Sequence, residues 1–242
     1  MFAVNVLTIG NSFSEDATRY LHDIARADGV DLQTTDLYIG GCTLERHYRN
    51  MLSGKDVYSL IYNGDRTGLY VSLEEAILSK TWDVVTLQQS SQIAFDKDSY
   101  FPYIDELAAY IKKCSPKCKI YMHQTRSYED GNPWFETRPY KNLCEMIPDV
   151  AKVCAEVADH IGADGIIRCG ELVKRMYEEG LSPIWRDGWH TSKGLGRYAL
   201  GLLWYRTLAR AKVEENGFSY FDEPIPDETV LKIKKIVDSF EV

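Results

Sequence analysis

Positive charge is scarce in this sequence. Its 28 Lys and Arg stand against 36 Asp and Glu, a formal net charge of −8. No segment clusters basic residues as phosphate binding requires, which excludes nucleic acid as a partner. An acidic membrane surface would repel the chain for the same reason. No apolar run approaches the roughly 20 residues a bilayer span needs; the longest, such as Val4 to Ile9 and Trp82 to Leu87, are strand-sized. The N-terminus lacks a basic, apolar and small-residue leader, so the chain as written is expected in the cytoplasm, and outside the cell if a leader was removed. The six cysteines form no C-x-x-C, and there is no H-E-x-x-H, Walker loop or G-x-G-x-x-G. Cys114 and Cys118 have no second pair or histidines at metal-ligand spacing, so the thiols are expected to be free and in the core, with no metal implied.

What is present is a chain of 242 residues, 45% hydrophobic, long enough to bury a full core. Val4 to Ile9 is a β-rich run ended by Gly10, and Ala17, Leu21, Ile24 and Ala25 then recur at helical spacing. Further strands are predicted over Asp31 to Ile39, Trp82 to Leu87, Lys119 to His123 and Gly165 to Arg168. The intervening helices cover Thr43 to Leu52, Tyr103 to Cys114 and about Arg138 to His160. Glu171 to Glu179, Thr191 to Ala211 and Asp227 to Phe240 are also helical in pattern. Asn63-Gly64-Asp65 between alternating apolar residues signals a hairpin, read as an insertion at about 57–72. Strands separated by helices require a parallel sheet covered on both faces. The fold class is therefore α/β, a single domain over residues 1–242 built as a three-layer α/β/α sandwich around a central parallel sheet. Ligands in such sheets bind outside the carboxyl ends of the strands. The loops at Gly10 to Ser14, Gly40 to Thr43, Gln88 to Gln92 and Gln124 to Asp130 should thus share one rim.

Two segments on or near that rim carry chemistry. Gly10-Asn11-Ser12-Phe13-Ser14 places a serine on a tight strand-to-helix turn, where backbone N–H groups can meet an oxyanion; Ser12 or Ser14 could equally serve as the helix N-cap. Asp187-Gly188-Trp189-His190 sets a carboxylate three residues before a histidine, within reach of Nδ1, leaving Nε2 free to take a proton from a serine. An Asp capping a turn beside a neutral His is the alternative.

Taken together, Leu7 to Ser14, Trp82-Asp83-Val84-Val85 with Leu87-Gln88-Gln89-Ser90, and Asp187 to His190 resemble the SGNH (GDSL-like) hydrolase superfamily, in a bacterial branch, over roughly Val4 to Ala211. The resemblance implies a flavodoxin-like sandwich and a serine esterase with no cofactor. Ser12 would be the nucleophile, His190 the general base and Asp187 its orienting acid. The oxyanion hole would use the Ser12 and Gly41 N–H groups. The superfamily's Gly-x-Asn is absent here, so the Gln88 or Gln89 amide would replace the Asn. Related hydrolases deacetylate carbohydrates, which implies a small acyl ester, possibly an acetyl group on a glycan, as substrate. Arg126, after the strand Lys119 to His123, should face the rim and bind substrate or form a structural ion pair, and Trp189 could stack on a sugar. The hairpin could cover the pocket or join two copies into a homo-oligomer. The missing Asn, and Asn11 in place of Asp, leave a non-catalytic ligand-binding protein as the other reading.

Overall fold

The computed structural model describes residues 4–241. β1 (Val4–Gly10) enters first, followed by α1 (Ser12–Thr18), α2 (Leu21–Ala27), β2 (Leu32–Tyr38) and α3 (Leu44–Ser53). A hairpin of β3 (Tyr58–Tyr62) and β4 (Asp65–Val71) precedes α4 (Leu73–Leu78), β5 (Val84–Leu87), α5 (Tyr103–Cys114) and β6 (Lys119–His123). The chain closes with α6 (Leu143–His160), β7 (Gly165–Ile167), α7 (Cys169–Glu178), α8 (Leu195–Ala209) and α9 (Asp227–Asp238). The sheet runs β4-β3-β2-β1-β5-β6-β7. The five strands from β2 to β7 are mutually parallel, and β3 and β4 extend the β2 edge antiparallel. Counted over parallel strands alone, this is the flavodoxin-like 2-1-3-4-5 order, whose direction reverses between β1 and β5.

Strand alternation divides the core into two halves. Val4 and Val6 of β1 face α1, α2 and α8, whereas Leu7 and Ile9 face α3, α4 and α5. α8 carries apolar residues on most of its surface because it is largely enclosed: Tyr198, Leu200, Leu203 and Trp204 are all buried. The six cysteines are free, four of them buried. No helix among the described residues is long and apolar enough to cross a membrane.

Several boundaries move from where periodicity places them, and in each case a cap decides. α6 begins at Leu143 rather than near Arg138, because the Asn142 side chain accepts from the Glu145 N–H and residues 133–137 form a separate turn of 3-10 helix. α8 begins at Leu195 rather than Thr191, since Trp185 and Thr191 form an isolated antiparallel bridge that holds the preceding loop extended. α4, which apolar spacing does not reveal, is set by a capping box in which Ser72 and Glu75 bond each other's backbone N–H. The hairpin turn has positive φ at Asn63 (48°) and Gly64 (83°), the geometry of a type I′ turn. Its tip is tied to α1 and the residue after it by Arg66–Glu15 (2.7 Å) and Arg19–Asp65 (2.7 Å) ion pairs.

Candidate active site

The end of β1 is crowded, and the crowding explains its glycine. A Cβ on Gly10 would lie 2.0 Å from the Ser14 Oγ and 2.9 Å from the Gln88 Oε1. Asn11, not a serine, caps α1: its Oδ1 accepts from the Phe13 N–H (3.0 Å) while its Nδ2 donates to the Cys42 carbonyl (3.2 Å). Ser14 is fully buried and its hydroxyl donates to Gln88 Oε1 at 3.0 Å. That leaves Ser12 as the serine at the surface of the turn.

Ser12 Oγ lies 3.0 Å from His190 Nε2, and His190 Nδ1 lies 2.8 Å from Asp187 Oδ2. The other Asp187 oxygen accepts the His190 N–H at 2.7 Å and the Trp189 N–H at 3.0 Å. Gly188, at φ +77°, permits the turn that folds the histidine back over the carboxylate. Partial burial pushes the Asp187 carboxyl up, but the two N–H groups and the imidazole outweigh it and hold it at about 2. An ionised Asp187 requires a proton on Nδ1, so Nε2 is the acceptor facing the serine hydroxyl. Residues 178 positions apart in sequence are thereby joined across the sheet's carboxyl end.

Beside this pair lies a cavity of about 180 Å³ lined by Asn11, Ser12, Phe13, Gly41, Ser90, Ser91, Gln92, Tyr128, Trp189 and His190. The loops after β1, β2, β5 and β6 therefore meet at one rim, over the β1/β5 reversal. Gly41 has φ +60°, and a Cβ there would meet nothing within 4 Å, so its open side faces free space. Ser12 and Gly41 both line the cavity, and among the described residues neither N–H is bonded in the turns around it.

Neither glutamine reaches that cavity. Gln89 is buried with both ends committed: Oε1 accepts from the Leu44 N–H (3.1 Å) and the Ser90 N–H (2.8 Å), and Nε2 donates to the Ser99 carbonyl (2.9 Å) and hydroxyl (3.2 Å). Gln88 turns its Oε1 toward Ser14 and the Asn11 N–H, and its Nε2 is enclosed without a partner. Both are the right residue type in the right loop, and the backbone directs them inward.

Residues 5–228 match a family described as Domain of unknown function (DUF4886). The chain belongs to that family. A DUF4886 family protein from Bacteroides uniformis is 27% identical, with a TM-score of 0.87 over 98% of this chain and 94% of that one. Two more distant structures share the fold. One is a protein from Slackia heliotrinireducens assigned to the SGNH hydrolases (18% identity, TM-score 0.61, 86% of this chain, 100% of that one). The other is a carbohydrate esterase family 3 protein from Talaromyces cellulolyticus (11%, 0.56, 86% and 97%). No curated protein matches the sequence. The SGNH-like architecture read from the Gly10-Asn11-Ser12 and Asp187 to His190 segments is the one this DUF4886 chain adopts.

Of the two roles expected of Arg126, the rim placement is corrected and the structural ion pair is the one found. Arg126 does not face the rim: it is 1% exposed, pairs with Asp16 at 2.9 Å, and its guanidinium carbon sits 3.5 Å from the centre of the Phe13 ring. Asp16 is the residue that sequence reasoning missed. Its Oδ1 accepts from Arg186 (2.9 Å) and Arg197 (3.0 Å), and its Oδ2 from Arg126 (2.9 Å) and from Thr191 through N–H (3.3 Å) and hydroxyl (3.1 Å). Burial pushes this carboxyl up, but the three guanidiniums win and hold it below its ordinary value. The signal was present: Asp16 stands four residues after Ser12, one helical turn deeper on the same face of α1. Its partners Arg186 and Thr191 flank Asp187 and His190, so one buried carboxylate ties the helix carrying Ser12 to the loop carrying the other two. Trp189 does line the cavity, with its ring 4.6 Å from that of Tyr128, whereas Trp134 is buried behind them.

Proposed function

We propose that this protein is a serine esterase that cleaves a small acyl ester, an acetyl group carried on a carbohydrate, through Ser12, His190 and Asp187. The observation that carries the reading is the unbroken chain from Ser12 Oγ to His190 Nε2 (3.0 Å) and from Nδ1 to Asp187 (2.8 Å). In this reading Ser12 Oγ attacks the ester carbonyl as its proton passes to His190 Nε2. The developing imidazolium is stabilised by Asp187, whose low pKa keeps it ionised. The Ser12 and Gly41 N–H groups hold the oxyanion of the tetrahedral intermediate. Its collapse expels the alcohol, which takes the proton back from His190. Water then repeats the sequence on the acyl-enzyme. The cavity volume of about 180 Å³ suits an acetyl group rather than a long acyl chain. Trp189, half-exposed at the cavity beside Tyr128, is the aromatic side chain available to a sugar ring outside it.

The test is intact mass after fluorophosphonate treatment, followed by acetate release from acetylated oligosaccharides, for the wild type, Ser12→Ala and His190→Ala. One adduct on the wild type that is lost in Ser12→Ala, with hydrolysis falling about 10,000-fold or more in either variant, is the expected outcome. A folded wild type that forms no adduct and releases no acetate would favour the ligand-binding alternative.

A further inference from the structure

The cavity is also lined by a hydroxyl-bearing residue that the proposed reaction has not used. Ser90 follows β5 directly after the two inward-turned glutamines, and it lines the same cavity as Ser12, Gly41 and His190. Its N–H is spent on Gln89 Oε1 (2.8 Å) and its carbonyl on the Ile93 N–H (3.1 Å). These two bonds fix the backbone, and among the described residues the Ser90 hydroxyl has no hydrogen-bond partner. Its neighbour Ser91 differs: that hydroxyl is bonded to the Tyr128 hydroxyl at 2.7 Å. Gln89, held through Leu44 and Ser99, acts as a rigid support from which Ser90 projects.

We propose that the Ser90 hydroxyl is the third oxyanion donor of this site, supplied from the β5 loop where the glutamine amides cannot serve. The inference rests on the esterase reading above. As Ser12 Oγ bonds to the carbonyl carbon, the C=O π pair moves to oxygen, and the Ser90 O–H turns to donate to it beside the Ser12 and Gly41 N–H groups. A hydroxyl rotor needs no backbone movement to follow the oxygen from its planar to its tetrahedral position. Its contribution therefore appears in the transition state more than in substrate binding. Gln88→Ala and Gln89→Ala would act on folding rather than on the reacting oxygen.

The experiment is steady-state hydrolysis of a chromogenic acetate ester, with the phosphonylation rate of Ser12 measured in parallel, on the wild type, Ser90→Ala and Ser90→Thr. Expected is a fall in kcat of about 100-fold for Ser90→Ala with KM within threefold, a parallel fall in phosphonylation, and recovery of most of the loss in Ser90→Thr, which keeps the hydroxyl. A Ser90→Ala enzyme within threefold of wild-type kcat would overturn the proposal, as would a loss confined to KM or a Thr variant as poor as the Ala one. Any of these in an active wild type leaves the esterase reading standing. A wild type that is neither labelled nor active removes both.

Discussion

Replacing Asp16 by Asn removes one charge from a buried cluster that has three guanidiniums around it. Arg197 keeps Asp222 at 3.1 Å, and Arg186 keeps the Thr191 carbonyl. Arg126 keeps only the face of Phe13 and no second carboxylate: it is 1% exposed, and its Nε and Nη1 already lack hydrogen-bond partners. Burial pulls the Arg126 pKa down, Asp16 partly offsets this, and the balance stands at about 10 with the carboxylate present. Orphaning one member of a buried ion pair costs about 3–5 kcal/mol, a large share of the roughly 5–15 kcal/mol that holds a domain together. At about 2–4 °C per kcal/mol for a chain of this size, Tm should fall by about 10 °C. The sign with pH is fixed as well. The Asp16 pKa is lowered in the folded state, so its contribution is present above its ordinary value of 3.8 and lost as pH falls through the depressed one. The gap between wild type and Asp16→Asn in urea unfolding should thus be constant from pH 8 to 5 and narrow below about 4. Because Arg186 and Thr191 flank Asp187 and His190, kcat should drop at temperatures where the variant is still folded. A variant within 1 kcal/mol of wild type at pH 7, or a gap that does not narrow in acid, would refute the cluster's dependence on this carboxylate.

Three further outcomes follow from other parts of the fold. Asp36 is buried on β2 with only the Thr8 hydroxyl on one oxygen, and burial raises its pKa to about 7. Stability should therefore decline from about pH 4 to pH 7 by as much as ~4 kcal/mol, and Asp36→Asn should flatten that decline in urea titrations. Gly64→Ala places a Cβ 2.2 Å from the Arg19 carbonyl oxygen at φ +83°; a loss of roughly 2 kcal/mol by denaturant unfolding is expected, with the hairpin tip displaced from α1. Gln89→Ala strips the buried Leu44 and Ser90 N–H groups of their acceptor. It should cost roughly 3 kcal/mol and speed hydrogen exchange at Leu44 and Ser90, whereas unchanged exchange there would contradict its role as a support.

Much of this protein was determined by sequence alone, because it depends on local preference. The alternation of strand and helix, the type I′ turn at Asn63-Gly64 and the apolar faces of α5 and α6 follow from periodicity and turn chemistry. The Asp187 to His190 turn is local too: a carboxylate, a glycine able to adopt positive φ and an imidazole within four residues can close on one another. Tertiary structure decided what depends on direction and enclosure. Sequence spacing places Gln88 and Gln89 at the rim, yet a side chain goes where its hydrogen bonds are met. Both turn inward, to Ser14 and Asn11 or to Leu44 and Ser99, leaving Ser90 at the cavity. Arg126 reads as a rim residue until Asp16, 110 positions away, draws it into the core. Asp16 itself gains its role only when α1, the β6 loop, α8 and the Arg186–Thr191 segment converge. A buried charge is stable only beside its partners, and no stretch of chain holds all of them.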